Sequence, residues 1–520
     1  MSIFWCTGLN RGFAGLLALG VLWSSLAFGQ TNISDERAMG APGAVEAAPW
    51  QESLNSASTM ASAGDIAGAT RSLLEAIDLG FSSYGTLMFG ASLQPIRDST
   101  NWQSVLNAFD AKNAWAPSLR VLFDSARSPW ERYSTGRAFL VTKKAVPKAE
   151  LRTYRQLYAT SATLVGQYDE ADRYYGSVST AAAPISAGYT RATNAIPELV
   201  DASRNARAIF LNESHGRSNT RAANLLIVQE LAKKGFTHLA LEAMSVEERS
   251  GSCGSVVAAD SKLTERGYAN KTTGYYINDP IYGELVRIAV KSGLKVVGYD
   301  YTFGRPTVAL REEEQAKNIA CILAEDGLAR VIVIGGFAHI SERDDHSVRG
   351  GLMGARFKRM TGIDPVTVDT TVLLTLDENA LETRDATGPA GGPLLLKNKR
   401  HNRWAVDGYD YVVFVPSAKP RTDPEPHWLT LGGHREKYMV PAPPCASIGG
   451  CLLEARRIHE SEDAVPVDRC VFRAGSPPCP LFLPVGSLRI ERFSSGGIRI
   501  GDPIDVVIDQ DRRNREGPEV

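Results

Sequence analysis

Ionisable side chains stand at the ends of four apolar runs. "ARAIFLNESHG" delivers Glu213 and His215, "THLALEA" delivers Glu242, "LKVVGYD" delivers Asp300, and "VIVIGGFAHISE" delivers His339 and Glu342. Along a strand, residues i and i+2 face the same side, so Glu213 and His215 can share one cavity while Ser214 turns away. A neutral imidazole near pH 7 takes a proton from water, and a neighbouring carboxylate fixes its tautomer. The same residue types suit zinc, manganese or cobalt with one position left for water. Taken singly, each has a plainer reading. Glu213 can be a helix cap or ion-pair partner, His339 a core histidine, Glu342 a cap, and Asp300 a partner of Arg305 or Arg311. His346 lies in the charged loop "SERDDHSVRGG", as an ordinary loop residue or one that closes over the site. Four strands ending alike argue for one shared rim.

A shared rim requires the four strands to lie in one sheet. From about residue 200, β-rich runs alternate with segments of helical spacing: Ala223, Ile227 and Leu231; Ile281, Leu285, Ile288 and Ala289; Ala316, Ile319, Ala320, Leu323 and Ala324. Such alternation gives a mostly parallel sheet flanked by helices, with sites outside the carboxyl ends of its strands. The expected fold class is therefore α/β over 196–418. An α-helical, tetratricopeptide-like region over 51–195 precedes it, on the strength of two helical stretches broken at "AGDIAGA" and "GQYDEA". A small β-rich, disulfide-stapled module over 419–512 follows. Residues 30–50 read as a flexible linker and 513–520 as a disordered tail. Gly216 is expected to let the chain turn into a helix whose N–H groups border the site, and Gly335-Gly336 to permit close backbone approach.

Of the 520 residues, 43% are hydrophobic and 22% charged, and the net charge is -1. That balance fits a soluble globular chain and gives no basic surface for nucleic acid or anionic membranes. The start reads as a signal peptide over 1–29: Arg11, then "GFAGLLALGVLWSSLAFG", with cleavage before Gln30. This implies a periplasmic or secreted protein without stable membrane insertion; an uncleaved anchor is the alternative. Cys253, Cys321, Cys445, Cys451, Cys470 and Cys479 then read as disulfides, Cys253 with Cys321 and the last four among themselves. G-x-S-x-G, P-loop, G-x-G-x-x-G and H-E-x-x-H motifs are absent from the expected places.

"NESHG", "LALE" and "VIVIGGFAHI" together resemble the superfamily of erythromycin esterases, ChaN-like haem-binding proteins and TraB/TIKI proteases, over roughly 200–418. Erythromycin esterases carry Gly-Glu-x-x-His-Gly. Here Asn212 replaces the glycine and one residue separates Glu213 from His215, as in the ChaN-like form, while Gly216 matches the esterase form. "REEEQAKNI", with Arg311, Ala316 and Asn318, looks like the helix before the last catalytic strand. The resemblance implies catalytic roles for Glu213, His215, Glu242 and His339, with Asp300, Arg311, Glu342, His346 and Tyr299 in support. In the esterase branch a histidine activates water. In the protease branch Glu213, His215, Glu242 and His339 would hold a divalent metal. In the ChaN-like branch the fold binds haem, with Tyr275, Tyr276 and Tyr299 as candidate ligands. The expected function is an exported hydrolase of ester or amide bonds, acting on a small molecule or peptide, with His215 or His339 as base. The alternatives are a non-catalytic haem- or metal-binding envelope protein, or a scaffold that binds a protein partner through its helical region.

Overall fold

Continuous apolar runs need cover on both faces, and the computed structural model provides it. Its described residues are 48–509 apart from 125, 142–145, 177–187, 252, 305, 344–347, 375, 377–380, 382, 385–388, 390, 417–427, 442–444, 446–449 and 476–478. The expected leader, most of the linker, His346 and the expected tail lie outside them.

The main sheet has nine strands: β1 (Arg191–Asn194), β2 (Ala208–Glu213), β3 (His238–Leu241), β4 (Lys295–Gly298), β5 (Val331–Gly336), β6 (Val366–Asp369), β7 (Thr383–Arg384), β8 (Leu394–Lys397) and β9 (Tyr411–Phe414). Their spatial order is β4-β3-β5-β2-β6-β9-β8-β1-β7. The pairs from β4 to β9 are parallel, as is β1 with β7; only β8 runs against its neighbours. Every residue of β2 and β5 is buried. Ala208, Phe210, Val331 and Val333 pack with Ala316, Ile319 and Phe357 of the Val308–Glu325 and Met353–Thr361 helices. On the other side the Ser218–Ala232 helix meets β2, and the Pro280–Lys291 helix meets β4. The α/β expectation holds.

β1 already belongs to the sheet, so the sheet starts before the expected boundary at 196. The chain divides into two compact units, Asn32–Arg127 with Glu131–Tyr158 forming one and Ala159–Val520 most of the other. The first is α-helical. Its Gln51–Ser62 and Ile66–Asp78 helices join at a turn that Asp65 caps by accepting from Gly68 N at 2.8 Å. Phe81, Tyr84, Phe109, Trp115 and Phe123 make its aromatic core, with the Tyr84 and Phe123 rings stacked 5.7 Å apart.

The C-terminal residues form a β module within the second unit. Strands β11 (Gly450–Arg457), β12 (Asp468–Arg473), β14 (Gly486–Phe493) and β15 (Ile504–Ile508) make an antiparallel sheet ordered β12-β11-β14-β15, and β10 (Arg435–Tyr438) pairs with β13 (Leu481–Pro484). Cys253 and Cys321 are bonded as expected, and the last four cysteines pair among themselves as Cys445–Cys451 and Cys470–Cys479, a choice the sequence leaves open. No helix among the described residues is long and apolar enough to cross a membrane.

Candidate functional site

Strands β4, β3, β5 and β2 are consecutive neighbours, and all are parallel. Their carboxyl ends therefore set Asp300, Glu242, His339 and the Glu213/His215 pair along one rim. Register aligns Leu241 with Gly298 and Ile334, and Glu213 with Gly336. Two charge clusters meet on this rim.

The first cluster forms where β2 gives way to the Ser218–Ala232 helix. His215 Nδ1 lies 2.5 Å from Glu213 Oε1. Arg221, from the first turn of that helix, donates from Nε to Glu213 Oε2 at 2.9 Å, from Nη1 to Asp279 Oδ2 at 2.6 Å and from Nη2 to the His215 carbonyl at 3.0 Å. Burial opposes ionisation of Glu213, but Arg221 and His215 outweigh it and hold the carboxyl below its ordinary range. An ionised carboxylate only accepts hydrogen bonds, so in the neutral imidazole the proton between the pair belongs to His215 Nδ1 and the lone pair to Nε2. Tyr276 stacks on the imidazole at 4.1 Å, and Phe337 meets it edge-on at 5.1 Å.

Arg311 is the hub of the second cluster. It donates twice to Asp300, both at 2.8 Å, and to Glu242 Oε1 at 2.7 Å. Its Nη1 lies 3.3 Å from His339 Nε2. His339 Nδ1 pairs with Glu312 Oε1 at 2.6 Å, and Gln315 donates to Asp300 at 2.7 Å. Gly336 N donates to Glu242 Oε2. Burial again opposes charge on Glu242, yet His339 and Arg311 prevail and hold its carboxyl down to about 2. Burial pulls His339 down, but Glu312 and Glu242 raise it above its ordinary value.

Gly336 joins the clusters. An ideal Cβ there would lie 2.8 Å from His215 Nε2 and 3.2 Å from Glu242 Oε2, so those two atoms are within about 6 Å of each other. Any larger side chain would strike the imidazole. Gly335 plays the expected part as well: a Cβ would come 2.8 Å from the Tyr299 hydroxyl. Gly216 is needed for a different reason from the one expected. Its φ is not positive, and an added Cβ would lie 2.2 Å from the Tyr175 ring. Phe337, next in the chain, takes φ +48, a left-handed conformation unusual for a bulky residue.

The structure brings together Glu213, His215, Glu242, Asp300, Arg311 and His339, all buried. Three sequence expectations change. Glu342 does not join the rim: the chain turns after His339, and Glu342 accepts from Lys358 Nζ at 2.6 Å and Thr367 Oγ1 at 2.9 Å. Tyr299 donates to the Ile334 carbonyl at 3.2 Å and so braces β4 against β5. His215 lies beyond the last residue of β2, in a turn closed by a Ser214–Arg217 bridge. Instead of bare helix N–H groups, the following helix sends in the Arg221 side chain. Arg221, Asp279 and Glu312 escaped the sequence reading. "REEE" looks like a solvated charge run, and nothing in it distinguishes the buried Arg311-Glu312 pair from Glu313 and Glu314.

A shared metal was one expectation for Glu213, His215, Glu242 and His339. Among the described residues, the only three His, Cys, Asp or Glu ligand atoms gathered within 4.8 Å of one another belong to Cys253, Cys321 and Glu325, where both sulfurs are spent in a disulfide. The rim carboxylates take their countercharge from Arg221 and Arg311, so these four residues do not fit one divalent ion. Of the tyrosines named as haem ligands, Tyr299 is committed to the Ile334 carbonyl, and Tyr276 stacks its ring on His215. Comparison with protein-family models, curated proteins and solved structures finds no match.

The β module reaches the first cluster through the segment that carries Asp279. Arg469 donates to the Asn278 carbonyl at 2.7 Å, Val465 N to the Ala269 carbonyl at 2.9 Å, and Lys271 N to the Asp463 carbonyl at 3.0 Å. Arg287 grips Glu460 at 2.8 and 2.6 Å.

The shifted groups predict how stability depends on pH. The Glu242 carboxyl is held near 2 against an ordinary 4.5. Its contribution is therefore present above pH 4.5 and lost as pH falls toward 2. His339 is raised, so its contribution is present below the ordinary histidine value and lost as pH rises through the higher one. Thermal unfolding is expected to be level in mildly acidic buffer and to fall on both sides. Glu242→Gln is expected to flatten the acid fall; an unchanged acid limb would assign it to other carboxylates.

Proposed function

We propose that this protein is an exported hydrolase of ester or amide bonds, with His215 as the general base. One observation carries the reading: a buried imidazole whose Nδ1 is held by an ionised Glu213 turns its Nε2 toward Glu242 across a glycine. Water between Nε2 and Glu242 would lose a proton to Nε2 while its oxygen attacks a carbonyl carbon. The imidazolium then returns the proton to the leaving alcohol or amine. His339 is a poor second base, because Glu312 and Arg311 engage its two nitrogens; it holds Glu242 in place. The resemblance to the erythromycin esterase superfamily agrees with this assignment, and three disulfides support a periplasmic or secreted location. The test is turnover by the purified full-length protein on nitrophenyl esters, lactones and peptide nitroanilides. No turnover of any class above a blank would reject the proposal.

A further inference from the structure

Two tyrosines beside His215 bury hydroxyl groups that nothing satisfies. Tyr276, 2% exposed, opens the turn Tyr276–Asn278, and Tyr282, 1% exposed, lies in the first turn of the Pro280–Lys291 helix. Neither hydroxyl has a hydrogen-bond partner among the described residues. The other polar groups of the segment are engaged: Asp279 accepts from Arg221, Ser218 and Ile281 N, and Asn278 donates to the Lys271 and Gly274 carbonyls. A buried hydroxyl without a partner is costly, and such groups call for an explanation.

Both rings lie against the Arg221 guanidinium. The Arg221 guanidinium carbon lies 5.8 Å from the Tyr276 ring centre and 5.2 Å from that of Tyr282. Tyr276 also stacks on His215. Both hydroxyls are close enough to Glu213 and Glu242 to feel their charge. What is missing is an acceptor. A carbonyl oxygen supplies one without bringing a proton of its own, and a neutral group adds no charge to carboxylates already balanced by Arg221 and Arg311.

We propose that Tyr276 and Tyr282 donate to the carbonyl oxygen of a neutral ester or amide, and to the oxyanion that forms there. The inference rests on the hydrolase reading above. As the water oxygen bonds to carbon, the carbonyl π pair moves onto the oxygen held by the two hydroxyls, and the water proton goes to His215 Nε2. Collapse returns the pair, breaks the bond to the leaving group and passes the proton on. The product acid gives up its remaining proton to solvent and leaves as a carboxylate, so substrate and product differ in charge. Burial first, then the neighbouring negative charges, raises both phenols well above their ordinary range, so they remain donors in alkaline buffer.

The test uses Tyr276→Phe and Tyr282→Phe in the full-length protein. Each is expected to lower kcat by about 10- to 1,000-fold with little change in KM. Neither should lower Tm, since each removes an unsatisfied group. Full kcat in both variants would overturn the inference and leave the hydrolase standing. Loss of kcat with a matching fall in Tm would also overturn it, because it would mark the hydroxyls as structural. A wild-type protein that turns over nothing would reject both proposals.

Discussion

His215→Ala is expected to abolish hydrolysis while the fold survives. The imidazole supplies the proton acceptor, and removing a positioned general base costs about 10²- to 10⁴-fold in rate. The loss should fall on kcat, because KM depends on contacts that the substitution leaves alone. Glu213→Gln provides the matching control. It keeps the shape but cannot hold Nδ1–H as an anion, and it strips Arg221 of one partner. It is expected to lower kcat less than His215→Ala and to cost more stability, because a buried guanidinium loses its counter-charge. His339→Gln should retain more activity than either. Equal losses in the His215 and His339 variants, with folding intact, would remove the distinction between base and support.

The largest effect on stability is expected from Arg311→Met. This side chain, 2% exposed, answers Asp300 and Glu242 together and approaches His339. Methionine replaces only its aliphatic stem and leaves two buried carboxylates without the guanidinium between them. Breaking a buried pair from one side costs about 3–5 kcal/mol, and here two partners are orphaned. Arg311→Lys is expected to recover only a fraction, since an ammonium cannot reproduce the two-pronged grip on Asp300. Urea unfolding midpoints at neutral pH check this. A further readout separates ion pairing from packing: part of the Arg311→Met deficit should be recovered in acid, where Glu242 takes up a proton. A deficit independent of pH would point to lost packing.

The rim was legible because parallel sheets write their sites at strand ends. Glu213, Glu242 and Asp300 follow apolar runs so closely that the period-two pattern alone brings them to one edge. Strand order was not legible. That β5 inserts between β3 and β2, and so sets His339 against Glu242, depends on long-range pairing that no local spacing records. The missed residues share a cause as well. Arg221 lies in the first turn of its helix and Glu312 just after the first turn of its own, where a charged residue usually faces water, and only the tertiary crossing buries them. Asp279 stands directly before Pro280. It is a helix cap, accepting from Ile281 N at 2.8 Å, and the cap's second oxygen serves Arg221. Glu342 failed in the opposite direction, because the 3₁₀ turn Phe337–Ile340, which contains His339, swings the chain off the edge.

The hold of Arg469 on the Asn278 carbonyl joins residues 191 positions apart. The module's two disulfides close only where thiols can be oxidised. The segment that carries Asp279, and with it the partner of Arg221, is therefore fully braced only after they have formed. A reductant should loosen the first cluster while the main sheet stays folded, which ties the order of a site without cysteines to the redox state of its surroundings.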